Sequence, residues 1–432
     1  MIHTDDKAVR RVLLKGRFGL EREALRLTED GMLSRTEHPF PGDPAIVRDF
    51  SENQTEINTA THDTLQGALE ELKDTDFRLR MTLEGLPRRE ILWPFSNPPV
   101  IRGEEDIPIA RFYGPEEGKT RYREYLSEKY GRTLMTYSGV HFNFSFSEEL
   151  LARDRLLSGT VDPVEHKNRI YLDLARNLLE YGWLLVAITA ASPLMDRSFH
   201  DPHRPGETLF TGMASCRCSE MGYWNDFVPT MDYSSLKDYG ESILQYVRKG
   251  WLYSPAELYY PIRLKSYGQN DLQVLMERGV SHIELRMIDL NPFLPWGVDE
   301  RDLQFAHLLM VWLSGREPEE MNDLHQIRAA ANFKKAAHYD LHRVNYRDRE
   351  GRSIPMDEAG MDILRQMMTF YQDGPEWISG VLQFQYDKLY DPSARYAADV
   401  VKWFGNDFAG CGLTYAKERQ RLLCANCSAQ AV

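Results

Sequence analysis

Cysteine is scarce in this chain. Five in 432 residues, Cys216, Cys218, Cys411, Cys424 and Cys427, are too few and too unevenly placed to frame a disulfide-stapled fold, so reduced thiols are expected. Cys424-Ala-Asn-Cys427 forms a CxxC, but it has no second pair and no histidine partner, so it lacks the donor set of a zinc centre. Long apolar runs are missing as well. The longest, Tyr181 to Leu194, contains Gly182 and Pro193 and falls short of the roughly 20 residues needed to cross a bilayer. It predicts a buried core helix and no membrane partner. The opening MIHTDDKAVRRVLLKGRFGL has neither an unbroken apolar stretch nor a small-residue cleavage site, which predicts a cytosolic protein. Positive charge is in deficit: 52 Lys+Arg against 65 Asp+Glu give a net charge of −13, the opposite of a nucleic-acid binder's basic footprint.

Familiar catalytic signatures are absent too. No GxGxxG, HExxH or GxSxG pattern occurs, which removes the common dinucleotide, zincin and serine-hydrolase readings. Gly114-Pro-Glu-Glu-Gly118-Lys119-Thr120 imitates a phosphate loop. It has three intervening residues where four are required, and Glu116 and Glu117 would repel phosphate.

What is present is a globular composition, 42% hydrophobic and 11% aromatic, with apolar periodicity from end to end and no linker or repeat. One domain over 1–432 is expected. Three-four spacing of Leu65, Ala68, Leu69, Leu72, Leu79, Leu83 and Leu86 predicts a helix over 64–86 capped by Asp63 or Thr64. Similar patterns cover about 119–130, 165–191, 300–314, 323–338, 356–372 and 376–390. Residues 411–432 are expected to be a helix end and a solvated tail. Between the helices lie period-two segments at 18–28, 49–59, 136–146 and 280–290. Short turns between strands point to an α+β fold with an antiparallel sheet.

The strand segments carry the chemistry, because residues two apart share a face. Glu21 and Glu23 lie together, as do Gln54, Glu56 and Asn58, with Asp49 and Glu52 just upstream. His141, Asn143 and Ser145 oppose Phe142, Phe144 and Phe146, and His282, Glu284 and Arg286 oppose Ile283, Leu285 and Met287. One such strand is an ordinary half-solvated strand. Four of them concentrate carboxylates that a hard dication such as Mg²⁺ or Mn²⁺ would neutralise, with His141 adding one nitrogen donor. Arg286 beside Glu284 suits a phosphate or a carboxylate. The residues alone therefore describe a multi-metal site on a sheet handling a phosphorylated ligand.

The ordered set Gly19-Leu-Glu-Arg-Glu23, Asp49-Phe-Ser-Glu52 with Glu56, Ser138-Gly-Val-His141-Phe-Asn-Phe144 and Ile283-Glu-Leu-Arg286 resembles the bacterial glutamate–cysteine ligases. Tyr122-Arg-Glu124, Ala191-Ser-Pro193, Glu257-Leu-Tyr259, Pro261-Ile-Arg263 and Asp289-Leu-Asn-Pro-Phe293 extend the likeness from about residue 16 to about 410. The resemblance implies a curved antiparallel sheet of glutamine-synthetase type forming an active-site funnel, with helices packed outside. It implies an ATP- and Mg²⁺-dependent enzyme joining the γ-carboxyl of L-glutamate to the amine of L-cysteine through a γ-glutamyl phosphate, the first step of glutathione synthesis.

Carried over motif by motif, it implies Glu21, Glu23, Asp49, Glu56, His141 and Glu284 as metal ligands, with Glu52 nearby. Arg286 and Arg123 would face the transferred phosphoryl group. Arg217, Tyr223 and Tyr259 would hold the acceptor's carboxylate, with Tyr122 and Leu126 beside its thiol. The likeness departs at Ile57-Asn-Thr-Ala-Thr-His62, where the family has a Thr-Pro turn, and at Cys216 and Cys218, which flank Arg217. These departures bear on the acceptor, so a related carboxylate–amine ligase with another amine stands as the alternative. A catalytically silent regulatory relative is the reading from a different class.

Overall fold

A computed structural model of the chain describes residues 1–268 and 271–428, the last three by backbone alone. Its strands are β1 (Gly16–Thr28), β2 (Ile46–Arg48), β3 (Gln54–Asn58), β4 (Glu90–Leu92), β5 (Gly139–Phe146), β6 (Leu194–Asp196), β7 (Thr208–Phe210), β8 (Ile262–Lys265), β9 (His282–Asp289), β10 (Asn345–Arg347) and β11 (Ser353–Pro355). Its helices are α1 (Lys7–Arg10), α2 (Leu65–Glu84), α3 (Glu117–Tyr130), α4 (Glu148–Ser158), α5 (Pro163–Tyr181), α6 (Trp183–Thr189) and α7 (Leu236–Arg248). They continue with α8 (Leu272–Arg278), α9 (Glu300–Ser314), α10 (Asp323–Ala336), α11 (Met356–Phe370), α12 (Glu376–Tyr390), α13 (Tyr396–Phe404) and α14 (Phe408–Ser428).

The main sheet is antiparallel throughout, in the order β2-β3-β1-β5-β9-β8, with β4 pairing the far end of β1. It is open, so β2 and β8 are edges. The predicted α+β class is the observed one. Alternation gives the sheet two unlike faces. Phe18, Leu20, Phe142, Phe144, Phe146, Ile283 and Leu285 are buried on one, in a single cluster with residues of α2, α5, α6 and α9. A fully buried side chain of this kind contributes roughly 1.5–3 kcal/mol. Helix α9 is buried on nearly every side, and its His307 ring lies 5.0 Å from Phe18 and 4.9 Å from Phe144. No described helix is long and apolar enough to cross a membrane.

Helices α9 and α12 coincide with the expected 300–314 and 376–390, and Thr64 caps α2 by accepting from the Gly67 amide at 3.1 Å. Three expectations need correction. The predicted helix over 165–191 is two helices, because α5 stops at Tyr181 and Gly182 opens the break. A Cβ at Gly182 would lie 2.4 Å from the Leu178 carbonyl oxygen. Tyr181–Leu194 is therefore buried from Gly182 onward, as expected, but is not one helix, and its last residue opens β6.

The strand expected at 49–59 begins only at Gln54. Residues 49–54 form the turn from β2 into β3, with the Gln54 amide donating to the Ser51 carbonyl at 3.1 Å. The third correction concerns the C-terminus, where residues 411–428 are helical and docked. Gln420 is buried and uses its side-chain amide to hold β4, donating to the Glu90 carbonyl at 2.7 Å and accepting from the Leu92 amide at 3.2 Å. Arg419 donates to the carbonyls of Pro292 and Leu294. Cys411 is exposed, and the side chain of Cys427 lies outside the described residues.

Candidate active site

Register builds the site. Glu23 stands opposite Glu56, Glu21 stands between Asn58 on β3 and His141 on β5, and Asn143 stands opposite Glu284. Directly opposed residues share a face, so these groups converge on the face away from the core. A bulge between Val140 and Phe142 interrupts the β5–β9 ladder at His141. Bulges re-aim side chains, and this one sets the imidazole among the carboxylates. His141 Nδ1 is 2.8 Å from Glu21 Oε2 and 3.8 Å from Glu284 Oε1, and Nε2 is 3.6 Å from Glu23 Oε1. One donor atom each from Glu21, His141 and Glu284 falls within 4.8 Å of the others.

The carboxyls are pushed apart in acidity. Burial, with Glu21, Asp49 and Glu23 close by, raises Glu56 well above the usual carboxylate range, and burial also raises Glu23. Burial acts the same way on Glu284 and Glu21. At Glu284 it is outweighed by Arg286, Lys265 and His141, which hold the carboxyl well below the usual range. At Glu21 the hydrogen bond and charge of His141 prevail over burial and Glu284. The β9 side of the cluster is thus ionised, while at Glu56 on the β3 side burial and like charge outweigh the nearby cations.

Cations line both borders of the cluster. Arg286 Nη1 donates to Glu284 Oε1 at 2.9 Å, and despite burial it holds its proton more firmly than a free arginine because Glu284 lies against it. Arg263 stands opposite Glu284 and Lys265 opposite His282 on β8. Arg123, on α3, donates from Nε to the Asp49 carbonyl at 2.5 Å and stacks over Phe112 with Cζ 4.7 Å from the ring centroid. Arg48 lies over the same ring at 4.6 Å. Sequence reasoning missed Lys265 and gave Arg263 no role. The alternation Ile262-Arg-Leu-Lys265 is the signal that would have shown β8 as a further polar-faced strand.

Next to Arg286 is a cavity of about 60 Å³ lined by Arg217, Cys218, Tyr223, Trp224, Tyr259 and Met287 among others. Tyr223 and Tyr259 meet edge to face with ring centroids 4.6 Å apart. Leu126 is buried in the cluster to which Tyr122, Tyr223 and Tyr259 pack. Arg217 is pinned from behind: Nη2 donates to the Arg286 carbonyl at 2.7 Å and Nη1 to that of Ile288 at 3.4 Å. Gly139 makes room for it, since a Cβ there would sit 2.3 Å from the guanidinium carbon. Cys216 and Cys218 are buried, which pushes their thiols up to about 12 and about 11, so neither is a thiolate near neutral pH.

Glu52 does not join the cluster. Its carboxylate accepts from the amides of His38 at 3.0 Å and Arg111 at 2.7 Å and from Arg48 at 3.3 Å, so it fastens the turn that carries Asp49. The imitation phosphate loop is a short helical turn leading into α3, and Lys119 there pairs with Glu116.

The donor set fits a hard dication. It offers carboxylate oxygens and one imidazole, and Asn143 Oδ1, on the same face, is buried with no partner among the described residues. The sequence profile of the glutamate-cysteine ligases matches residues 2–253 and 248–336. The chain belongs to the glutamate–cysteine ligase family. Within that family it is 34% identical over 414 residues to the glutathione biosynthesis bifunctional protein GshAB of Listeria monocytogenes, covering 92% of this chain and 53% of that protein. It is 30% identical over 390 residues to the GshAB protein of Pasteurella multocida, covering 85% and 50%.

The chain thus spans about half the length of these curated relatives. The crystal structure of a bifunctional glutathione synthetase from Pasteurella multocida superposes with TM-score 0.82 at 25% identity, covering 96% of this chain and 54% of that one. The glutamate–cysteine ligase of Francisella tularensis, solved with AMP, superposes with TM-score 0.84 at 22% identity, covering 95% and 89%, and shares the fold.

Proposed function

We propose that residues 1–432 act as one catalytic unit that uses ATP to join the γ-carboxyl of L-glutamate to the amine of L-cysteine. The supporting observation is the division of one sheet face into a carboxylate cluster centred on Glu21, His141 and Glu284 and a cationic border centred on Arg286. A carboxylate is a poor electrophile. A γ-carboxylate oxygen of glutamate takes the terminal phosphoryl group of ATP and releases ADP. The amine nitrogen then attacks the acyl carbon and phosphate departs.

Glu21, Glu23, Asp49, Glu56, His141 and Glu284 would hold Mg²⁺ or Mn²⁺, which would supply neutralisation of the triphosphate as its charge shifts. Arg286 and Arg123 hold the phosphoryl oxygens and the acyl phosphate in line. Such fixed charges stabilise the transfer without reorganising during it. Tyr122, Leu126, Arg217, Tyr223 and Tyr259 seat the acceptor beside the acyl carbon.

A second reading keeps the donor half and changes the amine. It is favoured by Arg217, whose two terminal nitrogens are engaged with backbone carbonyls and whose side chain is only 8% exposed. The experiment is phosphate release with ATP, Mg²⁺ and L-glutamate, adding candidate amines singly and weighing the product. Stoichiometric γ-glutamylcysteine from cysteine supports the first reading. Faster turnover of another amine selects the second, and no turnover with any amine removes both.

A further inference from the structure

Lys265 ends the edge strand β8, and its register partner is His282, so it shares the face of Glu21, His141 and Glu284. Its Nζ lies 3.4 Å from Glu284 Oε2, and among the described residues Glu284 is the one side chain that it hydrogen-bonds. That contact is longer than the roughly 2.7–2.9 Å of a strong charge-assisted bond. Arg286 already holds the other oxygen of Glu284 at 2.9 Å. The carboxylate has a closer partner without the lysine. An ammonium with spare donors is nonetheless kept in a largely closed site, with its side chain 15% exposed, against its desolvation and the entropy of its stem.

Its position is on the boundary of the two halves of the site. Glu21, Glu23, Glu56 and Glu284 lie on one side of it and Arg263 and Arg286 on the other, and the charge of Lys265 acts on both Glu21 and Glu284. Arg263 and Arg286 have planar forks, and each is engaged: Arg263 with the Ala256 carbonyl at 2.9 Å and with that of Leu258, Arg286 with Glu284. Lysine instead offers a compact charge on a flexible four-carbon stem, which can move without breaking a planar pair.

We propose that Lys265 serves the ligase reaction in two successive positions, first holding a divalent cation's place beside Glu284 and then, once cations bind, turning outward to contact the non-bridging oxygens of the transferred phosphoryl group. The proposal rests on the ligase reading above. Repulsion between a bound dication and the ammonium supplies the drive for the move, and the triphosphate supplies its destination.

The test uses the full chain and two binding measurements beside the rate of γ-glutamylcysteine formation. Manganese binding without nucleotide is followed by electron paramagnetic resonance, and binding of a non-hydrolysable ATP analogue with Mg²⁺ by calorimetry. In Lys265→Met, manganese is expected to bind as well as in the parent chain or more tightly, while analogue affinity falls at least tenfold and kcat falls with it. Lys265→Arg is expected to recover most of the analogue affinity. Unchanged analogue affinity in Lys265→Met overturns the proposal, and so does manganese binding that weakens in parallel. If Lys265→Met does not fold, Lys265→Gln carries the same two expectations. A parent chain that binds the analogue but shows no turnover whichever amine is added removes the ligase reading, and analogue affinity still decides the contact of Lys265.

Discussion

Glu23 and Glu56 stand directly opposite each other across the β1–β3 pair, one buried carboxyl and one half-buried, with Asp49 beside both. Like charges directly opposed in a sheet are destabilising. Burial and these neighbours make both carboxyls weaker acids, so the folded chain binds protons more readily here than the unfolded chain does. Stability from this pair is fully present at low pH and declines as pH rises past the ordinary carboxylate value toward the raised ones.

Glu56→Gln removes that burden together with a proposed metal ligand. Activity is expected to fall by at least about 100-fold while the melting temperature at neutral pH stays level or rises. Glu21→Gln should match the loss of activity. Full turnover in either variant, measured by phosphate release, would end the metal assignment.

Gly139 and Arg217 make a linked pair. Arg217→Ala should raise KM for the acceptor and spare that for glutamate. It should also lower stability by about 1–3 kcal/mol, because the Arg286 and Ile288 carbonyls lose their donor. Gly139→Ala retains every polar group but drives a methyl into the guanidinium, so it should reproduce the KM effect. Equal changes in both KM values would show that the pocket has been placed wrongly.

His307 reports on acid. It lies between Phe18 and Phe144, its Nε2 has no partner among the described residues, and burial pushes it down to about 3. The unfolded chain takes up this proton near pH 6.5 and the folded chain does so only near 3, so between these values stability falls as pH falls, by about 1.4 kcal/mol per pH unit. His307→Leu should flatten the slope by one proton in urea titrations at pH 6 and 5. An unaltered slope would show that the histidine is not held neutral.

Gln420→Ala leaves the Glu90 carbonyl and the Leu92 amide of β4 without their side-chain partner. A loss of about 2 kcal/mol is expected, read as a lower urea midpoint at constant slope, with kcat per folded molecule unchanged. A midpoint within error of the parent chain would mean that α14 is dispensable to the sheet.

The sequence by itself determined the antiparallel α+β class, the principal helices and which strand faces carry acids, because alternation and three-four spacing are local and survive in any one strand or helix. Glu21, Glu23, Glu56, His141 and Glu284 were legible for that reason. Tertiary structure decided where each side chain ends. Glu52 has the same chemistry as Asp49 three residues before it, yet two amides brought in from residues 38 and 111 take its carboxylate. The bulge that aims His141, the carbonyl seat of Arg217, Lys265 at the sheet's edge and the docking of Gln420 all depend on partners tens to hundreds of residues away. Period two records which face a residue takes; register, bulges and distant backbone groups determine what it meets there.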